Sequence, residues 1–143
     1  MKRYVFYLWF STLVFLSVFI SCSDTSTNLT EDSGTNSTMN IPVTGDVQNS
    51  FSFTVNAHSF DYSQTQGIQI NANTLSIGIT VTNFVSGSGK IIIEDGNGAT
   101  VYEKDINGAM VSGSVLQLTA VPKIVYLNLN SFTGEVVIGL SGK

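Results

Sequence analysis

The chain has 143 residues, ten acidic and six basic side chains for a net charge of −4, and one each of cysteine, histidine and tryptophan. That length suits one domain of ordinary size, and a single cysteine rules out an internal disulfide. The acidic balance, with Arg3 as the only arginine, argues against nucleic acid or a polybasic membrane patch, both of which need clustered positive charge.

The amino terminus opens with Lys2 and Arg3, continues through an apolar run over residues 5–20, and reaches Ser21 and then Cys22. A secretory leader needs a positive end, an apolar stretch too short to span a bilayer comfortably, and small residues at the cut. An uncleaved anchor helix is the alternative, because residues 5–20 fall just short of the roughly 17–25 residues that cross a membrane. The lone cysteine decides between them, since a leftover thiol in an exported chain needs an explanation other than pairing.

These residues resemble the signal peptide of a bacterial lipoprotein. The resemblance implies cleavage of residues 1–21, with a diacylglyceryl group on the Cys22 sulfur and an acyl group on its new amino terminus. Several chains anchor firmly, at about 0.8 kcal/mol per buried methylene. Ser23 and Asp24 resemble the Cys-Ser-Asp starts of Bacteroidota lipoproteins, which implies an outer-membrane address on the periplasmic or surface face. Loss of Lys2 and Arg3 with the leader leaves four lysines against ten acidic residues, a mature charge of −6.

Residues 22–42 come next as the lipidated cysteine and a spacer. The stretch is nearly all Ser, Thr, Asn, Asp, Glu and Gly, with Leu29 and Met39 as its large apolar residues up to Asn40. Such composition buries too little surface to offset its ordering entropy, so the sequence predicts a disordered linker.

Residues 43–143 alternate apolar and polar side chains almost throughout. Leu75, Ile77, Ile79 and Val81 interleave with Ser76, Gly78, Thr80 and Thr82, which puts one face in a core and the other in water. Phe51, Phe53 and Val55 repeat the scheme, as do Ile68 with Ile70, Ile91 with Ile93, Leu116 with Leu118, Val125 with Leu127 and Leu129, and Val136 with Ile138 and Leu140. Turn signals stand at Gly87-Ser88-Gly89, Asp95-Gly96-Asn97-Gly98 and Asn107-Gly108. About eight short strands with glycine-rich turns predict an all-β fold, a two-sheet antiparallel sandwich of jelly-roll or immunoglobulin-like topology. The succession of residues 89–94, Asp95-Gly96-Asn97-Gly98, Leu118-Thr119-Ala120, Tyr126-Leu127-Asn128-Leu129 and Phe132-Thr133-Gly134 is similar to the small jelly-roll domain that ends secreted bacterial peptidases. That similarity implies fold and not function.

Glu94, Asp95 and Asn97 form the most suggestive polar cluster, because calcium takes oxygen ligands along tight glycine-containing loops. A hairpin turn explains the same residues without a metal, since Asp, Asn and Gly readily take positive φ. His58 has no cysteine or second histidine to share zinc, and Ser59 beside it points to the opposite side of a strand, so neither zinc binding nor nucleophilic catalysis is expected. Ser86-Gly87-Ser88-Gly89-Lys90 lacks the flanking residues of a phosphate loop. No cofactor is expected. Tyr62, Tyr102 and Tyr126 are candidate platforms for a sugar ring, with Tyr102 and Tyr126 out of phase with Val101 and Leu127 and so expected on outer faces.

The sequence thus points to a lipid-anchored, non-catalytic envelope domain that binds a protein partner or a polysaccharide. The alternative is a structural or assembly subunit that stacks by its sheet edges. Cys22→Ser is expected to abolish incorporation of labelled fatty acid into the chain; equal labelling of both forms would remove the lipoprotein assignment.

Overall fold

Alternation writes the strands of this protein, and the points where it slips write the architecture. The computed structural model describes residues 39–143, so the leader, Cys22 and its lipid, and the spacer up to residue 38 lie outside the described residues. Six strands form one antiparallel sheet: β1 (Val43–Val47), β2 (Ser50–Gly67), β3 (Thr74–Asp95), β4 (Thr100–Ile106), β5 (Met110–Gln117) and β6 (Pro122–Gly142). Their order is β1-β2-β6-β3-β4, with β5 also paired to β3.

Several runs expected as separate short strands are joined. Residues 75–81 and 91–93 are the two ends of β3, and residues 125–129 and 136–140 the two ends of β6. Gly87-Ser88-Gly89, expected as a turn, lies inside β3. Ile68 and Ile70 are buried, but in the β2–β3 connection.

β2 and β6 each change phase once, and β3 changes twice, near Asn83 and again near Gly87. In β2 the inward residues run Phe51, Phe53, Val55, Ala57 and then Phe60, Tyr62; in β6 they run Val125, Leu127, Leu129 and then Phe132, Gly134, Val136. In β3 the buried series ends at Val81 and resumes with half-buried Phe84 and, beyond the corner, buried Ile91 and Ile93. In each of the three strands one non-glycine residue at the bend takes a left-handed backbone: Ser59 (φ 47°), Asn83 (φ 52°) and Ser131 (φ 45°). The ladders shift register at the same places, between Ala57 and Phe60 in β2 and between Thr82 and Ser86 in β3. An extra residue in a strand bends it and re-aims the side chains beyond the bend. Because β2, β6 and β3 are neighbours, the three bends act as one crease.

The sheet therefore doubles over on itself. Phe53 and Tyr62, from opposite halves of β2, bring their ring centroids to 5.4 Å. Phe51 and Phe53 share a narrow cleft with Gln64, Gln66, Val125 and Leu127 of the other half. One layer contains β1, the first halves of β2 and β3, the second half of β6, and β5; the other contains the second halves of β2 and β3, the first half of β6, and β4. The expected two-layer sandwich is present, built from one continuous sheet. The space between the layers holds a single apolar cluster including Phe53, Leu75, Ile79, Ile91, Leu129 and Ile138, each large side chain stabilising by about 1.5–3 kcal/mol.

Specific contacts hold the crease. The Ser59 N–H donates to Thr133 Oγ1 at 2.9 Å, and the Ser131 N–H donates to Asp61 Oδ1 at 2.6 Å. Fully buried Phe132 meets Phe84 edge-on, centroids 5.5 Å apart. At the amino-terminal end the Asn40 side chain accepts from the His58 N–H at 2.8 Å and donates to the His58 carbonyl at 3.1 Å, while Met39 bridges Asn56 in parallel. Met39 and Asn40, in the stretch that composition assigns to the spacer, thus take part in the hydrogen bonding of the domain.

Gly87 marks the tightest point of the crease. It has φ 97°, and a Cβ there would lie 2.6 Å from both the Phe132 Cα and the Ser131 carbonyl oxygen. Gly87→Ala is expected to cost at least the roughly 1–3 kcal/mol of a strained backbone, and more for the overlap. Gly113→Ala, where an added Cβ meets nothing within 4 Å, serves as the control in a denaturant melt. Equal losses at the two positions would show that the crease does not constrain the fold.

Candidate functional site

Period two places alternate residues of the second layer on its solvent face. Tyr126 on β6 lies opposite Thr65 of β2 and Ile92 of β3, and Ile92 in turn lies opposite Glu103 of β4. The row on one side carries Ser63, Asn128, Lys90 and Asp105; the row on the other carries Ile124 and Glu94. Tyr126 is half-buried between buried Val125 and Leu127, so its ring lies among Ile92 and short polar side chains on an outward face.

Charge is organised around this ring. The Lys90 ammonium sits 2.5 Å from Glu103 Oε1 and 3.3 Å from Asp105 Oδ1, and hydrogen bonds to these two carboxylates raise its pKa. All three are exposed, so the cluster orients side chains more than it stabilises the fold. The Glu94 carboxylate beside Tyr126 raises its phenol, with partial desolvation adding to the effect. Asn130 Nδ2 donates to Asn128 Oδ1 at 2.6 Å. A flat ring and isoleucine bordered by donors and acceptors of both signs can stack an apolar sugar face and hydrogen-bond its hydroxyls.

The other two tyrosines are placed differently. Tyr62 packs against the core, 5.6 Å from the Phe60 ring in a near-parallel stack; burial raises its pKa and its hydroxyl bonds Gln64. Tyr102 does not reach an outer face as its alternation with Val101 suggested. The register shifts between Ile93 and Glu94, leaving Val101 as the extra residue of a bulge and setting Tyr102 opposite fully buried Ile93. Of the three rings, Tyr126 is the outward one. Alternation with Ile91 and Ile93 makes the outward direction of Ile92 legible in the sequence, whereas its place opposite Tyr126 comes from the pairing of β3 with β6.

Asp95, Asn97 and Glu94 do not converge. The Asp95 carboxylate accepts from the N–H groups of Asn97 (2.8 Å) and Ala99 (2.9 Å), which holds its pKa below the ordinary carboxylate range. Gly98, at φ 81°, closes the turn with its N–H on the Asp95 carbonyl. Asp95 is buried and Glu94 belongs to the outer face beside Tyr126. Among the described residues no three His, Cys, Asp or Glu side chains are grouped to hold a metal. His58 is exposed, and the hydrogen bonds at this residue are those of its backbone to Asn40. Among the described residues the surface also carries a depression of about 220 Å³ between Asp95, residues 99–101 and residues 116–120, and an open trough of about 390 Å³ on the first layer beside Ser52, Ser76, Gly78, Gly139 and Ser141.

No family model and no curated protein matches the chain. Among solved structures it is similar to a protein of the Bacillus endospore appendages, described as a novel family of disulfide-linked pili, with TM-score 0.39 and 11% identity over 71% of this chain and 92% of that one. It is also similar to the enzymatically active domain of bacteriophage CBA120 tailspike protein 4, with TM-score 0.36 and 20% identity over 68% of this chain and 16% of that one. A third similarity is to a structure from work on CBM4 structure and function, with TM-score 0.33 and 12% identity over 71% of this chain and 78% of that one. At these scores none of the three carries an argument about what this chain binds.

The pairing of Tyr126 with Glu94 has a spectroscopic consequence. A phenolate beside a carboxylate is disfavoured, so removing that charge with Glu94→Gln is expected to lower the Tyr126 pKa toward the ordinary phenol value. Titration of the tyrosine Cζ resonances by NMR measures the shift. An unmoved Tyr126 would separate the two side chains.

Proposed function

We propose that this protein is a lipid-anchored, non-catalytic binding module of the bacterial cell envelope that holds a polysaccharide on the outer face of its second layer. The observation that carries the proposal is the Tyr126 ring on an outward face, opposite Ile92 and Thr65 and bordered by Asn128, Lys90, Glu94 and Glu103. Sugar rings offer an apolar face and a hydroxyl rim, and this surface supplies the complement to both. The anchoring part rests on Lys2, Arg3, the apolar run over residues 5–20 and Cys22.

A binding role fits the histidine better than a catalytic one. His58 has its backbone engaged by Asn40, and among the described residues none of the hydrogen bonds at this residue comes from a carboxylate that would orient its ring or a hydroxyl that it would activate.

Retention of the protein on immobilised envelope polysaccharide tests the proposal. Tyr126→Ala is expected to weaken retention at least tenfold, about 1.4 kcal/mol, with an unchanged melting temperature. Tyr102→Ala, which empties a half-buried place against the core, is expected to lower the melting temperature instead. His58→Ala should alter neither. Turnover of a glycan that is lost with His58→Ala in a folded protein would overturn the non-catalytic assignment, and undiminished retention with Tyr126→Ala would overturn the site.

A further inference from the structure

Among the described residues the doubled sheet leaves four strand edges unpaired, and three of them are guarded. β1 has five residues and carries Asp46; β4 carries Glu103, Lys104 and Asp105; the second half of β2 carries Asp61 beside the crease and beyond it uncharged polar residues, with no large apolar side chain exposed. Short length and charge are how sheet edges avoid pairing with other chains. The fourth edge, β5, has neither protection. It is paired to β3 from Val81↔Met110 to Thr74↔Gln117 without a register shift, and among the described residues no strand lies on its other side. It contains no charged residue and no proline, and it exposes Val111 and Val115 at 85% and 69%.

The order of residues along this edge names its partner. Met110-Val111-Ser112-Gly113-Ser114-Val115-Leu116 reads the same in chemical type from either end, with Gly113 at the centre. We propose that β5 pairs antiparallel with β5 of a second copy of this chain, about a two-fold axis through Gly113. A two-fold contact is isologous, so each side chain meets the one at the mirrored position. Ser112 then faces Ser114 and Val111 faces Val115, covering the two exposed valines with one another. Met110 faces Leu116, and since both already pack against the core, their contact continues each core toward the next. The first layers join into one sheet across the pair.

Electrostatics selects the same edge. The protein is acidic, and copies repel unless they meet along a neutral strip. β5 brings no like charges opposite one another, whereas two β4 edges would bring Glu103 and Asp105 against the same side chains of the partner. Pairing of one eight-residue strand belongs to the small, transient interfaces below about 1,200 Å², so a covalent trap is the suitable test. This inference goes beyond the polysaccharide proposal and is independent of Tyr126.

The test uses the full chain carrying Cys22→Ser, so that an introduced cysteine is the only thiol. Gly113→Cys places a thiol on the axis, at a position where a Cβ meets nothing within 4 Å. Val115→Cys is the control: it is exposed on the same strand, but in the proposed register its two copies are four residues apart, about 14 Å along the strand. A disulfide needs Cα atoms within about 7 Å. Under mild oxidation at micromolar protein, Gly113→Cys is expected to give a disulfide-linked dimer on a non-reducing gel while Val115→Cys stays monomeric. Adding Val111→Lys and Val115→Lys to the Gly113→Cys chain is expected to cut the dimer at least tenfold without moving the melting temperature. Mixing that chain with one carrying Val111→Glu, Val115→Glu and Gly113→Cys is expected to restore it. No dimer with Gly113→Cys, or equal yields from Gly113→Cys and Val115→Cys, would overturn the pairing, and retention on polysaccharide, measured on the same preparations, stays as a separate readout of the Tyr126 site.

Discussion

The crease across β2, β3 and β6 is the constraint on which the rest of this structure depends. A flat sheet of long strands leaves one apolar face in water, and nothing else in the described chain is available to cover it. Bending all three strands at one level lets the sheet cover itself. The cost falls on Ser59, Asn83 and Ser131, which adopt a left-handed backbone that disfavours L-residues by roughly 1–2 kcal/mol each. Hydrogen bonds from the Ser59 and Ser131 N–H groups to Thr133 and Asp61 offset part of that cost. Phe84 and Phe132 fill the inside of the bend.

The two outer faces of the doubled sheet arise from the crease and differ in character. The first layer presents Ser52, Gly78, Gly113 and Gly139 in one cross-strand row and Thr54, Thr80, Val111 and Val137 in the next, a low surface without charge in these rows. The second layer presents Tyr126 and Ile92 with the Lys90, Glu103 and Asp105 cluster. A recognition surface needs rigid rings and directional polar groups, whereas a surface continued by another copy needs neutrality and flatness. The second layer has the features of the first kind and the first layer those of the second, and the charged edge β4 and the neutral edge β5 lie on different layers.

Small backbone irregularities decide which side chains are available. One extra residue at Val101 turns Tyr102 toward Ile93, while Tyr126, on a stretch of β6 with unbroken pairing to β2 and β3, keeps the outward position its alternation implies. In the Asp95 turn, a carboxylate that composition offers as a calcium ligand is occupied by two backbone N–H groups. Sequence spacing cannot separate these uses, because a turn and a metal loop draw on the same Asp, Asn and Gly.

By itself the sequence determined the strand content, the inward faces of residues 51–55, 75–81, 125–129 and 136–140, the Asp95 hairpin and the acidic surface, since each depends on period-two burial or on local turn chemistry. It also held the palindrome of β5. The tertiary structure decided what depends on pairing: that residues 75–81 and 91–93 are one strand, that Gly87 sits in a crease and not a turn, that Met39 and Asn40 dock on β2, and that Tyr102 faces inward. A bulge or a shared bend leaves the local pattern nearly intact. It becomes visible only when the neighbouring strand fixes which residue stands opposite which.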